Sequence, residues 1–218
     1  MAQIFSRRAN WLARLSIAAT IALVAAVMGV LLNLNRLDYV SQVGAPREQP
    51  VPFSHKHHVT GMGIDCRYCH TSVEDAAFAG LPPTETCMTC HSMVWQDAPI
   101  LEPVRASLRD DRPLAWTRVH DLPDFVYFRH DIHVSRGVGC QTCHGQVDQM
   151  PLVWKAQTLN MEWCLGCHRH PEKYVRPRDQ VYNMQWRAPA NQEEVGRQLV
   201  EASGIRTTQL TNCSVCHL

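Results

Sequence analysis

The chain lacks an excess of charge of either sign. Its 218 residues carry 21 basic and 20 acidic side chains, a net of +1 at neutral pH. No strong field is left to draw nucleic acid, so nucleic acid is excluded as a partner. Lysine is scarce as well: three of the 21 basic residues are lysine and the others are arginine. No charged residue occurs between Arg14 and Arg36. No cysteine stands alone. All ten fall into pairs with two residues between, at Cys66/Cys69, Cys87/Cys90, Cys140/Cys143, Cys164/Cys167 and Cys213/Cys216.

A histidine follows each pair at once: His70, His91, His144, His168 and His217. C-x-x-C-H is the attachment sequence of a c-type haem. Two thiols three positions apart lie on one side of a helical turn, within reach of both vinyl groups of a porphyrin. The adjoining histidine turns onto the iron as proximal ligand. Disulfides do not require a histidine after each pair, and zinc sites that combine two pairs leave the histidines unexplained. The expected cofactors are five covalently bound c-type haems.

The uncharged run, residues 15–35, is long enough to cross a bilayer as a helix. It is also longer than the apolar region of a cleaved signal peptide. Arg7, Arg8 and Arg14 precede it, so the positive-inside bias puts residues 1–14 in the cytoplasm and everything after the span outside. That is the side on which c-type haem is attached. Three prolines in 41–52 mark a stiff connection within a linker, 36–52.

Beyond the linker the sequence repeats. Phe53-x-His55-x-x-His58 returns as Phe128-x-His130-x-x-His133. Gly61-Met-Gly63 before Cys66 pairs with Gly137-Val-Gly139 before Cys140, and a further C-x-x-C-H follows each. The offset of roughly 75 residues indicates a duplicated dihaem unit. The first unit with its connector covers 53–127, the second 128–170, and a C-terminal segment, 171–218, holds the fifth motif. Fewer than about 40 residues serve each haem, too little for an apolar core of ordinary size. The expected fold is mainly α and irregular: one N-terminal transmembrane helix, then short helices, long loops and little sheet. A clear helix is predicted at 191–203. Asn191 and Glu194 resemble a capping box, Gly204 is its stop, and Val195, Leu199 and Ala202 share a face.

Seven histidines lie outside the motifs: His55, His57, His58, His120, His130, His133 and His170. His55 and His58 project from one side of a turn, as do His130 and His133. One turn advances about 5 Å, so each pair should bridge two neighbouring haems. His57 and His170 face elsewhere. The predicted distal ligands are His55, His58, His120, His130 and His133. Met150 and Met161 are the alternatives, since methionine is the competing axial ligand. The many arginines suit haem propionates, with Arg67, Arg129 and Arg136 as examples.

IDCRYCHTSVE, LPPTETCMTCHSM, WTRVHDLPDFVYFRHDIHVSRGVGCQTCHGQV and MEWCLGCHR resemble the pentahaem cytochrome subunit of bacterial alternative complex III. The F-x-H-x-x-H unit is also similar to multihaem cytochromes of the c3 and c7 type. The first resemblance implies an electron-transfer subunit in the bacterial inner membrane, with its haems on the periplasmic side. It makes no substrate bonds itself, and its respiratory or photosynthetic complex oxidises quinol and feeds a periplasmic carrier or an oxidase. The implied partners are an iron–sulfur subunit, quinone-binding integral membrane subunits and a monohaem cytochrome. Some relatives carry a histidine where Phe125 stands; a phenyl ring cannot ligate. A second reading is a stand-alone, single-anchor quinol dehydrogenase feeding a periplasmic reductase. A multihaem reductase with an open iron is disfavoured, because no motif histidine is replaced by lysine.

Overall fold

The computed structural model describes residues 6–34 and 36–217. The chain forms two compact units, divided after Val43. The first contains the helix α1 (Arg7–Leu34) and the single turn α2 (Asp38–Ser41). Leu, Ile, Val and Ala dominate α1, and at 28 residues it extends about 42 Å. It is long and apolar enough to cross a membrane. Its large apolar side chains are exposed along its length, with Leu12 at 68% and Leu32 at 63%. The predicted span ends on Asn35, which lies outside the described residues, as does the start of the 1–14 segment.

The second unit is built from short helices: α3 (Cys66–Cys69), α4 (Thr84–His91), α5 (Glu102–Arg109), α6 (His130–Ser135), α7 (Cys140–His144), α8 (Met161–Arg169), α9 (Gln192–Ala202) and α10 (Cys213–Cys216). Among the described residues, sheet is limited to isolated bridges at Pro46/Trp154, Val126/His217 and Val138/Val175. The mainly α and irregular architecture read from the sequence is the one observed.

The two copies of the sequence repeat follow a similar order of backbone elements. A π-helical turn (Lys56–Gly61) carries His57 and His58 directly after His55, and α6 carries His130 and His133. A short motif turn follows in each copy, α3 or α7. A longer helix ending on the next motif follows that, α4 or α8. Gly63 and Gly137 both adopt positive φ, +71° and +83°, three residues before the first cysteine. Only glycine does this without strain. The structural equivalence is thus Gly63 with Gly137, two residues off the pairing that the sequence suggests. Asp65 then corresponds to Gly139.

The apolar core is small. Among the described residues eight hydrophobic ones are buried, including Val104, Met150, Val175 and Val181 at 1–2% exposure. Val51, Leu101 and Val104 form one cluster, backed by Cys87, Met88 and Trp116. Val51 belongs to the proline-rich stretch read as linker. That stretch is strapped down from Gly44 onward: Gly44 N donates to Lys155 O at 2.8 Å, and the Gln49 amide both donates to and accepts from the Thr117 backbone.

α9 matches the predicted helix to within one residue at each end, and Gly204 stops it at φ +62°. Asn191 caps it without a side-chain hydrogen bond. Its buried position is Gly196 rather than Ala202, which is exposed. A Cβ at Gly196 would overlap the Glu172 carbonyl, so glycine lets the helix backbone lie on 171–173.

Candidate functional site

Each motif starts or ends a helix, which sets its two cysteines on one side of a turn. Asp65 caps α3 by accepting from Arg67 N at 2.8 Å, and Asn160 caps α8 by accepting from Trp163 N at 3.1 Å. None of the ten cysteines is disulfide-bonded. Burial pushes the Cys143 thiol up to about 12 and the Cys140 and Cys167 thiols up to about 11.

Neighbouring sulfurs add to burial in raising these thiols, and they show which motifs adjoin. Cys87 acts on Cys69, Cys66 on Cys140, Cys164 and Cys167 on Cys143, and Cys216 on Cys164. The motifs therefore follow one another in space as second, first, third, fourth and fifth.

The histidines have a common chemistry. The Nδ1 atoms of the motif residues His70, His91, His168 and His217 lie 2.8–3.2 Å from the carbonyls of Gly80, Val94, Leu210 and Phe125. His58, His130 and His133 make the same contact with Ser54, Ala77 and Arg129, at 2.7–2.9 Å. A carbonyl only accepts, so the ring proton is on Nδ1 and the Nε2 lone pair faces away. This is the tautomer a metal-bound imidazole adopts, with its second nitrogen held by the protein.

Ring geometry repeats between the two copies. Phe53 stacks on His58 at 4.3 Å and 24° and meets His55 edge-on. Phe128 stacks on His133 at 4.6 Å and 24° and meets His130 edge-on. His58 lies 6.2 Å from His91, and His133 lies 6.2 Å from His168, between ring centres. His130 lies 6.4 Å from His144, nearly parallel at 14°. A metal–imidazole bond is about 2 Å, so two imidazoles on opposite faces of one metal hold their centres about 6 Å apart. Three pairs thus have the spacing of axial ligands across one iron, and the residues present fit a haem.

His55 is brought low, to about 4, by burial, with His70 and then His58 adding. Its Nδ1 is buried without a partner. His144 falls to about 3 through burial, with His120, His130, His70 and His55 all contributing. His120 is likewise depressed to about 4 by burial, then by Lys155 and His130, and its Nε2 has no partner. It lies 4.3 Å from His144, in the same cluster as His130. Against the fifth motif histidine, His217, stacks Phe125 at 5.8 Å.

The remaining candidates take other places. His57 stacks on Trp95, and His170 pairs with Glu172 at 3.3 Å. Met150 is a buried packing residue, and Met161 is 62% exposed at the start of α8. Of the arginines expected at propionates, Arg67 pairs with Asp65 and Arg129 with Asp131, and Arg136 donates to the Ser203 carbonyl. Sequence reasoning missed two features. One is the stacking role of Phe53 and Phe128, which their place in the repeat could have signalled. The other is the buried Arg176, which no local pattern marks.

The family described as cytochrome c7 and related cytochrome c matches residues 126–218. That stretch holds three of the five motifs and the second His pair. The chain is also 33% identical over 143 residues to the multihaem cytochrome c subunit of menaquinone reductase from Nitratidesulfovibrio vulgaris (strain Hildenborough). The alignment covers 56% of this chain and 68% of that relative. Unbridged paired thiols, imidazoles with Nε2 free and ring pairs at axial-ligand spacing are what this relationship requires. The chain belongs to the multihaem c-type cytochromes, a c7-related family whose haems are bound covalently.

Proposed function

We propose that the chain is a membrane-anchored pentahaem cytochrome that relays electrons for a quinol-oxidising complex of the alternative complex III type. The observation that carries this reading is the repeated ring spacing, 6.2 Å for both His58/His91 and His133/His168. It gives each F-x-H-x-x-H unit the means to link two haems. His55 and His58 serve the haems on Cys66/Cys69 and Cys87/Cys90. His130 and His133 serve those on Cys140/Cys143 and Cys164/Cys167. Cys213, Cys216 and His217 hold the fifth, and His120, the other expected distal ligand, stands beside His144 at the third motif. α1 is the anchor, with its N-terminus cytoplasmic and the haem unit on the periplasmic side.

The relative's name places that protein in a menaquinone reductase, which puts a membrane quinone at one end of its path. A haem wire conducts in either direction, and the potentials at its ends decide which. Electrons flow outward, from quinol through this subunit to a periplasmic acceptor. An iron–sulfur subunit, quinone-binding membrane subunits and a monohaem cytochrome complete the assembly.

The test is purification from membranes in mild detergent. Intact mass should show the chain plus five haems. Co-purifying proteins should include an iron–sulfur subunit and polytopic membrane subunits, and the assembly should reduce an added acceptor with quinol. A lone chain that oxidised quinol at a catalytic rate would make it a stand-alone quinol dehydrogenase instead. An assembly that only reduced quinone would reverse the direction.

A further inference from the structure

Arg176 is a cation in the wrong place for a surface residue. It is 3% exposed, and among the described residues no carboxylate pairs with it. Nη2 donates to Thr142 Oγ1 at 3.3 Å, while Nε and Nη1 are buried without partners. The guanidinium lies over the Trp186 ring at 4.2 Å from its centre. It also fills the space beside Gly139 that a Cβ would need. Its backbone is pinned by Arg176 N donating to Gly137 O at 2.8 Å. The charge therefore sits inside the third motif turn, between Gly139 and Thr142, against Cys140.

An uncompensated buried charge is expensive, and a cation–π contact offsets only part of the cost. Packing alone does not require a guanidinium. What the charge does is set the potential of its surroundings, and in a low-dielectric site that effect is strong.

The duplicated first motif provides the comparison. At the position equivalent to Gly139 it has Asp65, whose carboxylate is closed by Arg67 through Nε at 2.9 Å and Nη2 at 3.0 Å. That pair is half-exposed and electrically balanced. The nearby buried Asp148 is held by the Gln149 and Gln185 amides and the Thr60 hydroxyl, and among the described residues no cation pairs with it. The two copies are alike in backbone and ligands but differ in buried charge.

We propose that Arg176 raises the reduction potential of the haem held at Cys140 and Cys143 above that of the equivalent haem at Cys66 and Cys69. This rests on the pentahaem reading. A haem held at Cys140 and Cys143 would take one electron from a neighbouring haem, and the positive charge of Arg176 would favour that gain. No proton moves and no bond changes. Arg176 thus acts through electrostatics on the middle position of the row and biases electrons across the junction between the two duplicated units.

The experiment is a potentiometric titration of the purified, detergent-solubilised complex, after intact mass has established five haems. A count other than five defeats the pentahaem reading and leaves the role of Arg176 to be judged by its shift alone. Arg176→Met should lower one component by at least about tenfold in its reduced-to-oxidised ratio, about 59 mV for a one-electron couple. That component should be the one whose spectrum His130→Met alters. Arg176→Lys should restore most of the shift. Gly139→Ala displaces only the movable end of the Arg176 side chain, and should lower the same component without removing the arginine. Unchanged components in Arg176→Met would overturn the proposal, as would equal losses in Met and Lys variants. If Arg176→Met fails to mature, an unchanged component in Gly139→Ala overturns it.

Discussion

A histidine ring can offer a metal only the nitrogen that its own protein leaves free. Here backbone carbonyls take Nδ1 in seven of the ten histidines predicted as ligands, so Nε2 is presented before any metal is considered. His58 shows how this places a ligand. Ser54 O holds its Nδ1, Phe53 stacks on its face, and its ring lies across from His91 rather than His70. His58→Met should therefore change the haem on Cys87 and Cys90 and leave the sequence-adjacent haem on Cys66 and Cys69 intact. The check is a double variant. In a chain whose Cys87 and Cys90 are serines, the further exchange at His58 should leave the low-spin spectrum of the remaining haems unaltered. An effect that persists there would assign His58 to a different iron. At this scale the five cysteine pairs and the histidine after each were legible, because C-x-x-C-H is a local pattern. Arg176 was not, because it reaches the third motif from 36 residues downstream of Cys140. Counting ligands also could not foresee that His120 and His130 gather at the same motif histidine.

At the scale of elements, short helices have little to hold them except what they lie on. α9 is the longest helix of the second unit, and it docks on the segment after α8 by backbone contact. Gln192 Nε2 donates to the carbonyls of Glu172 and Val175 at 3.0 and 2.9 Å, and Gly196 brings the helix close enough for that. Gly196→Ala improves intrinsic helix propensity by about 1 kcal/mol. The overlap with the Glu172 carbonyl opposes this, because backbone cannot step aside as a side-chain tip can. Overpacking of this kind costs about 1–3 kcal/mol, so the net change is destabilising. A lower midpoint in denaturant for Gly196→Ala is the expected result; a raised one would mean that α9 is free to lift. The helix itself was readable from Val195, Leu199 and Gly204. Its packing face was not, because periodicity of apolar residues says nothing about a glycine that serves close approach. The register of the repeat was blurred for a similar reason: Gly61 and Gly137 match as letters, but positive φ selects Gly63 and Gly137.

The whole molecule divides its apolar surface between two units with different needs. The second buries few aliphatic side chains, as expected where haems supply much of the interior. The first leaves α1 exposed along its length, and among the described residues its large apolar side chains stay uncovered. Burial of an aliphatic side chain is worth roughly 1.5–3 kcal/mol, so the dozen or so large apolar residues of α1 strongly favour a bilayer over water. A chain starting at Gly44, placed behind a cleavable export signal, should keep the haem spectrum of the full protein. The folded unit begins there, with Gly44 and Gln49 already hydrogen-bonded into it. It should leave the membrane fraction for the soluble one, whereas the full chain should remain after a high-salt wash. Fractionation followed by haem staining separates the possibilities. If the shortened chain stays on membranes until salt is raised, partner subunits hold it through polar contacts and α1 is a secondary anchor. If it is soluble without salt, α1 alone keeps this unit at the membrane. The position of the wire would then depend on one helix that the haem unit does not need in order to fold.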